Sequence, residues 1–170
     1  MKHLISFRKD IKAIGVDWTI AAPHKGLKFV RADATAIPIK NEVADLVVCK
    51  HLLEHILQSA HLFKELSRIT KKGGLLYLEC PDARGLYPFI KPNFYDDPTH
   101  VRPYTLQALY RLAELNGFTP IKKGRKRNPV ILAGSIAYLP FAILFRDHAF
   151  KTWFFIELLG LNIYILSKRE

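Results

Sequence analysis

The chain has 170 residues, 49% hydrophobic and 24% charged, which supports one buried core and excludes a disordered or low-complexity protein. Its formal net charge of +11 favours contact with a polyanion, either nucleic acid or the anionic face of a membrane. Residues 1–10 hold no apolar stretch of signal-peptide length, because charge returns at Arg8, and this sets the usual export route aside. Cys49 and Cys80 each end an apolar run, so they read as buried thiols in a reducing, cytoplasmic compartment.

Two short apolar runs open the chain, residues 11–16 closed by Asp17 and residues 27–32 closed by Asp33. Both read as strands. Residues 44–49 and 75–80 are two more, rich in the apolar and β-branched side chains of strands covered on both faces. Between them, Leu52, His55, Ile56, Leu62, Phe63, Leu66 and Ile69 fall at helical spacing, which predicts a helix over 51–69 stopped at Lys71-Lys72-Gly73-Gly74. An aromatic, proline-rich loop follows Pro81 to about residue 102, then a predicted helix over 105–116 with Gly117 beyond its end. Residues 118–123 and 161–168 suit a final strand pair. Alternating strands and helices imply an α/β fold with a Rossmann-like, mainly parallel sheet.

In open parallel sheets the ligand site lies beyond the carboxyl ends of the strands. Asp17 and Asp33 both stand there. One such carboxylate can accept both hydrogen bonds of a ribose diol and the other can meet an adenine amino group; aspartates also end strands simply as turn formers.

Ile14-Gly15-Val16-Asp17-Trp18, Val30-Arg31-Ala32-Asp33-Ala34, Ala44-Asp45-Leu46-Val47-Val48-Cys49 leading into His51-Leu52-Leu53-Glu54-His55, and Lys72-Gly73-Gly74 before a strand together resemble, in order, the small-molecule class I methyltransferases. The resemblance continues through Asp97-Pro98-Thr99-His100-Val101-Arg102-Pro103-Tyr104-Thr105 and Leu115-Asn116-Gly117-Phe118. It implies S-adenosylmethionine as cofactor, with Asp17 on the ribose, Trp18 packed on the nucleoside, Asp33 and the Ala34 amide at the adenine, and Lys50 and His51 beside the methionine portion. On the acceptor side it leaves His100 and His55 as proton-accepting candidates, with Tyr95, Arg102 and Tyr104 as substrate groups.

His51-Leu-Leu-Glu54-His55 also matches the H-x-x-E-H pattern of a zinc peptidase. It follows directly on a buried strand with no further acidic ligand pair in a helical context, so no metal is expected from it.

In the family a glycine-rich GxGxG loop and the first strand precede the strand ending at Asp17. Sixteen residues precede Asp17 here, room for a helix tail over 2–10 and one strand but not for a strand, loop and crossover. Since the missing glycines let the backbone approach the cofactor, weak or absent cofactor binding is expected, and with it a truncated methyltransferase, a noncatalytic remnant or a domain completed by a partner chain.

Residues 124–160 read as an apolar helical insertion within one domain spanning 1–170. The basic run Lys122-Lys123-Gly124-Arg125-Lys126-Arg127 precedes an uncharged stretch over 129–145. This combination predicts peripheral contact of residues 122–160 with an anionic membrane, packing of the insertion on its own sheet or a dimer surface, and a small or lipid-like methyl acceptor. The run lacks interleaved aromatics, so nucleic acid is not the expected partner.

Overall fold

The computed structural model describes residues 11–19, 27–86, 93–127, 133–134, 136–138, 140, 144 and 160–170. Its strands are β1 Ala13–Asp17, β2 Leu27–Arg31, β3 Ala44–Lys50, β4 Thr70–Pro81, β5 Phe118–Lys126 and β6 Asn162–Arg169. Helix α1 is Ser59–Ile69 and α2 is Leu106–Glu114. The helix tail expected over 2–10 lies outside the described residues.

The strands form two sheets. β1 and β2 pair in parallel, and β3, β4, β6 and β5 form a second sheet in that order. β3 runs parallel to β4, whereas β6 is antiparallel to both β4 and β5. All strands of the larger sheet except β6 therefore point the same way. β1 and β3 each keep one unpaired edge among the described residues.

One face of the larger sheet carries the core. Leu76, Leu78 and Cys80 of β4 and Ile163 and Ile165 of β6 are fully buried against Leu62, Phe63 and Leu66 of α1 and Leu109 and Ala113 of α2. Alternation in the strands and helical spacing in α1 and α2 supply these two apolar faces. Burial pushes the Cys49 thiol up to about 12, and both cysteines are free and buried. On the opposite face Leu46 and Val48 are 50% and 37% exposed.

The smaller sheet does not pair with β3, and the segment that joins β2 to β3 is fastened to α1. Arg68 donates to the carbonyls of Ile37 and Ile39 and to Asn41, while the Glu65 carboxylate accepts from the Ile37 amide and from Arg68.

Several boundaries differ from the sequence expectation. The helix predicted over 51–69 is divided into a single 3-10 turn, Leu53–His55, and α1. Ile56 adopts extended backbone and His51 a positive φ of 48°, so the apolar spacing persists across a turn that is not helical. Lys71-Lys72-Gly73-Gly74 does not end in a loop but in a bulge of β4: the register jumps from Ala44 opposite Thr70 to Leu46 opposite Leu75. Gly74 is needed there, because a Cβ would stand 2.9 Å from the Lys71 carbonyl oxygen. Helix α2 is closer to expectation, with the Thr105 side chain capping its start and Gly117 at φ 79° past its end.

Gly124, Arg125 and Lys126 belong to β5, so the expected insertion over 124–160 begins later. Residues 133, 134, 136–138, 140 and 144 are helical, with Ile136, Tyr138 and Leu144 exposed; the rest of that stretch lies outside the described residues. Among the described residues no helix is long and apolar enough to cross a membrane.

Phe63 fills the space between α1 and the sheet with none of its surface exposed. Phe63→Ala should lower unfolding free energy by about 3–5 kcal/mol, whereas Leu57→Ala, at a position 73% exposed, should stay within about 0.5 kcal/mol; urea denaturation followed by circular dichroism checks both.

Candidate functional site

β1 and β2 end side by side, Asp17 opposite Arg31, and the Ala32 amide donates to the Asp17 carbonyl at 3.0 Å. The next residues turn. Asp17 Oδ1 accepts from the amide and hydroxyl of Thr19, both at 2.8 Å, and Asp33 Oδ1 accepts from the amide and hydroxyl of Thr35, both at 2.7 Å. In each turn the amide, then the hydroxyl, holds the carboxyl below the usual carboxylate range. Each turn engages Oδ1, and no described residue bonds the other oxygen. A hollow of about 220 Å³ is lined by Trp18, Arg31, Ala32 and Asp33. Trp18 is 67% exposed and is held by its carbonyl, which accepts from Arg31 Nε at 3.1 Å. Ala34 packs against the core. A larger hollow, about 450 Å³ between Gly73, Ile121 and Lys168, lies at the opposite end of β4 from these groups.

The carboxyl end of β3 carries Lys50 and His51, and the His51 amide donates to the Glu79 carbonyl. Glu79, at the matching end of β4, is 1% exposed. Its carboxylate accepts from the Tyr77 hydroxyl at 2.6 Å and from Lys126 Nζ at 3.1 Å, with Lys50 Nζ at 3.6 Å and His51 Nε2 at 3.4 Å. Burial opposes its ionisation, but the Tyr77 hydrogen bond and the Lys126 ammonium together outweigh it and lower its pKa. The Tyr77 phenol is pushed up by burial and by the same carboxylate.

His55 and His100 come together, with ring centroids 4.7 Å apart. His100 also stacks on Phe94 at 4.4 Å and bonds the Phe94 carbonyl through Nδ1 at 2.6 Å. The segment that carries it is stitched to the 3-10 turn by the Val101 and Arg102 amides, which donate to the Glu54 carbonyl. Tyr95 is 55% exposed beside Phe94, and Arg102 is exposed. Tyr104, expected on the substrate side, is instead a core residue, 5% exposed, with its hydroxyl buried and unpartnered. Its backbone bridges Asp82, so this position stitches the loop to the end of β4.

Residues 51–55 do not form the peptidase arrangement, which needs both histidines on one helical face. His51 precedes the turn with left-handed backbone and bonds Glu54 Oε1 through Nδ1 at 3.2 Å.

Two buried acids were not singled out by the sequence. Glu79 sits inside a run otherwise read as apolar strand, and Asp82, 2% exposed, binds Arg84 Nε at 2.9 Å and Arg125 Nε at 3.2 Å. Their signal is the basic run itself: Arg125 and Lys126 answer these two carboxylates across β6, and Lys123 lies 3.8 Å above the Tyr110 ring. Three of the five cations in the basic run are thus engaged within the fold.

Glu79→Gln should cost about 1–3 kcal/mol at neutral pH by leaving Lys126 without its buried partner. Because the folded pKa is depressed, the carboxylate stabilises the fold above its unfolded value of about 4.3 and that contribution is lost as pH falls through the folded value. The gap between wild type and variant should therefore close in acid, as read by urea unfolding at a series of pH values.

Residues 10–78 match the family described as a methyltransferase domain. Uncharacterized methyltransferases of Mycobacterium leprae and Mycolicibacterium vanbaalenii are each 38% identical over 50 residues, 29% of this chain. That match covers 19% and 20% of the two relatives, about a fifth of their length. Among solved structures, the methyltransferase of a Haloferax volcanii complex with the Trm112 methyltransferase activator superposes with a TM-score of 0.78 at 12% identity, over 99% of this chain and 76% of that one. An S-adenosylmethionine-dependent methyltransferase of Mesorhizobium loti gives 0.67 at 14% identity over 92% of this chain and 80% of its own, and one of Archaeoglobus fulgidus 0.60 at 18% over 99% and 80%. Domain match, strand order and superposition agree on the fold: the chain has the class I methyltransferase fold, with sequence similarity to a methyltransferase domain over residues 10–78, and S-adenosylmethionine is the cofactor that two of these structural neighbours are named for.

Proposed function

We propose that this domain binds S-adenosylmethionine at the ends of β1 and β2 and serves methyl transfer to a small or lipid-like acceptor beside His55 and His100. The observation that carries the reading is the hollow where Trp18 and Asp33 meet, next to Asp17 with one carboxylate oxygen unengaged. Its size suits a nucleobase rather than a whole cofactor. Asp17 would accept from the ribose diol, Trp18 would cover the nucleoside, and Asp33 with the Ala34 amide would read the adenine edge. Lys50 and His51 stand at the end of β3, where the methionine portion would lie.

The cofactor supplies an electrophilic methyl group on a sulfonium. The chain's own contribution is to position and dehydrate the acceptor in line with it. His55 and His100, each tied through Nδ1, keep an Nε2 lone pair for an acceptor that must lose a proton. Tyr95 and Arg102 are the exposed groups of the same loop. A lipid-like acceptor is supported by the exposed apolar side chains of Ile136, Tyr138 and Leu144, close in sequence to a basic run that would sit on anionic headgroups at a membrane periphery.

A second reading, a noncatalytic or partner-completed domain, is favoured by the unpaired edges of β1 and β3. A strand inserted in trans would pair with both and bring a loop to the methionine portion. The Haloferax volcanii neighbour occurs in complex with a methyltransferase activator, which supports a protein partner.

Isothermal titration with S-adenosylhomocysteine separates the two. The first reading expects a dissociation constant in the micromolar range, about −8 kcal/mol, weakened roughly tenfold by Asp17→Ala through loss of a charge-assisted bond. No heat with this chain alone, and binding restored by an added partner, would favour the second.

A further inference from the structure

Glu54 presents an unusual problem. It is 1% exposed, and Oε1 is engaged by His51 Nδ1 at 3.2 Å, but Oε2 is buried and has no hydrogen-bond partner. A buried carboxylate oxygen without a donor is costly and is normally answered by a donor or a cation. Among the described residues no Lys or Arg answers it. Near the same carboxylate stands a pair of imidazoles: one oxygen of Glu54 and one ring nitrogen each of His55 and His100 all lie within 4.8 Å of one another.

The tautomers of both rings are set by their surroundings. His100 Nδ1 faces the Phe94 carbonyl at 2.6 Å, and an oxygen with only lone pairs requires that nitrogen to carry the proton. His55 Nδ1 faces the Thr99 hydroxyl at 2.9 Å and the Thr99 carbonyl at 3.3 Å, while that hydroxyl is itself directed at Asp97 Oδ1 at 2.5 Å. His55 Nδ1 is therefore also the donor. Each ring is left with a lone pair at Nε2, held in orientation by a carbonyl behind it, the arrangement that metal-ligating histidines adopt. Asp97 Oδ2 lies 3.8 Å from His100 Nε2, a further oxygen at the rim.

The scaffold is already assembled. Val101 and Arg102 donate to the Glu54 carbonyl, so the loop bearing His100 is pinned to the turn bearing Glu54 and His55. The Asn93 and Asp96 capping box fixes the turn before it. Ligands on a cation with bonds of about 2.1 Å sit about 3–3.5 Å apart, a contraction within reach of small side-chain rotations from the spacing present.

We propose that Glu54, His55 and His100 bind a divalent transition-metal cation. Two imidazoles and one carboxylate select a borderline ion such as zinc, iron(II), manganese or cobalt over calcium or a soft monovalent ion. The set differs from the H-x-x-E-H pattern: the glutamate is a ligand, His51 is its hydrogen-bond donor, and the third ligand comes from the distant loop. Three protein ligands leave positions for water or for an oxygen of a bound molecule. A bound cation would take the Nε2 lone pairs that the proposed function gives to proton transfer, so the two roles exclude each other at one time; the test reads binding alone and its failure is distinguishable from that of the methyl-transfer reading.

The probe is cobalt(II), whose visible absorption reports ligand number, titrated into metal-stripped protein and then displaced by zinc. The expected result is one cobalt per chain, a ligand-field spectrum abolished by zinc, and a rise in melting temperature that EDTA reverses. His55→Ala with His100→Ala should weaken binding at least tenfold, as should Glu54→Gln, while His61→Ala, on the exposed face of α1, should leave it unchanged. Should these variants fail to fold, the wild-type titration still decides. No saturable cobalt binding by the wild type, or binding unaltered by loss of both histidines, would overturn the proposal.

Discussion

Strand β4 is the member on which everything else is hung. It pairs with β3 in parallel on one side and with β6 in antiparallel on the other, and its inward residues Leu76, Leu78 and Cys80 form the floor under both helices. Its end also places chemistry. Glu79 opposite Lys50 and Tyr164 draws Tyr77, Lys126, Lys50 and His51 into one buried electrostatic cluster, so the residue that fixes the rim of the larger sheet is ionised by the side chains it organises. A charge there is tolerated because donors surround it, which is the usual condition for burying a carboxylate.

The motif order from Asp17 to Gly74 was readable because each motif sits at a strand end, where an apolar run meets a polar residue and local sequence decides the turn. Asp17 and Asp33 illustrate this: in both, a threonine two residues on closes the same turn. Other features depend on contacts distant in sequence. The 3-10 turn at Leu53–His55 escapes periodicity, since its apolar residues keep helical spacing while packing on the sheet, and only the positive φ of His51 and the extended Ile56 reveal the break. Glu79 passed as a lone polar residue inside an apolar run because, Tyr77 aside, its partners come from other segments, Lys50 and His51 from the end of β3 and Lys126 from β5. Tyr104 looked like a loop aromatic near a site, yet its ring has the core to fill. The approach of His55 to His100 could be guessed from neither segment, because it rests on the amides of Val101 and Arg102 finding the Glu54 carbonyl.

The basic run is the clearest case of composition misdirecting a functional reading. Six consecutive positions rich in lysine and arginine suggest a solvated cationic patch, but on a strand alternate side chains take alternate faces. Arg125, Lys126 and Lys123 are spent on Asp82, Glu79 and the Tyr110 ring respectively. Two of the five cations in the run are thereby paired with buried carboxylates, so the run itself presents less positive charge than its count of residues implies.

The clamp of Glu65 and Arg68 on residues 37–41 has a mechanical meaning. With β1 and β2 unpaired to β3, this guanidinium grips two carbonyls of the connecting segment from the surface of α1, fastening the leaf that bears Asp17 and Asp33 to the body that bears Glu54 and His100. Hydrogen bonds to one side chain are directional but few, unlike the ladder of a continuous sheet. The two parts are therefore coupled through this clamp, through the amides of Glu42 and Val43 on the last carbonyls of α1 and through Ala34 on the core, rather than through a shared sheet.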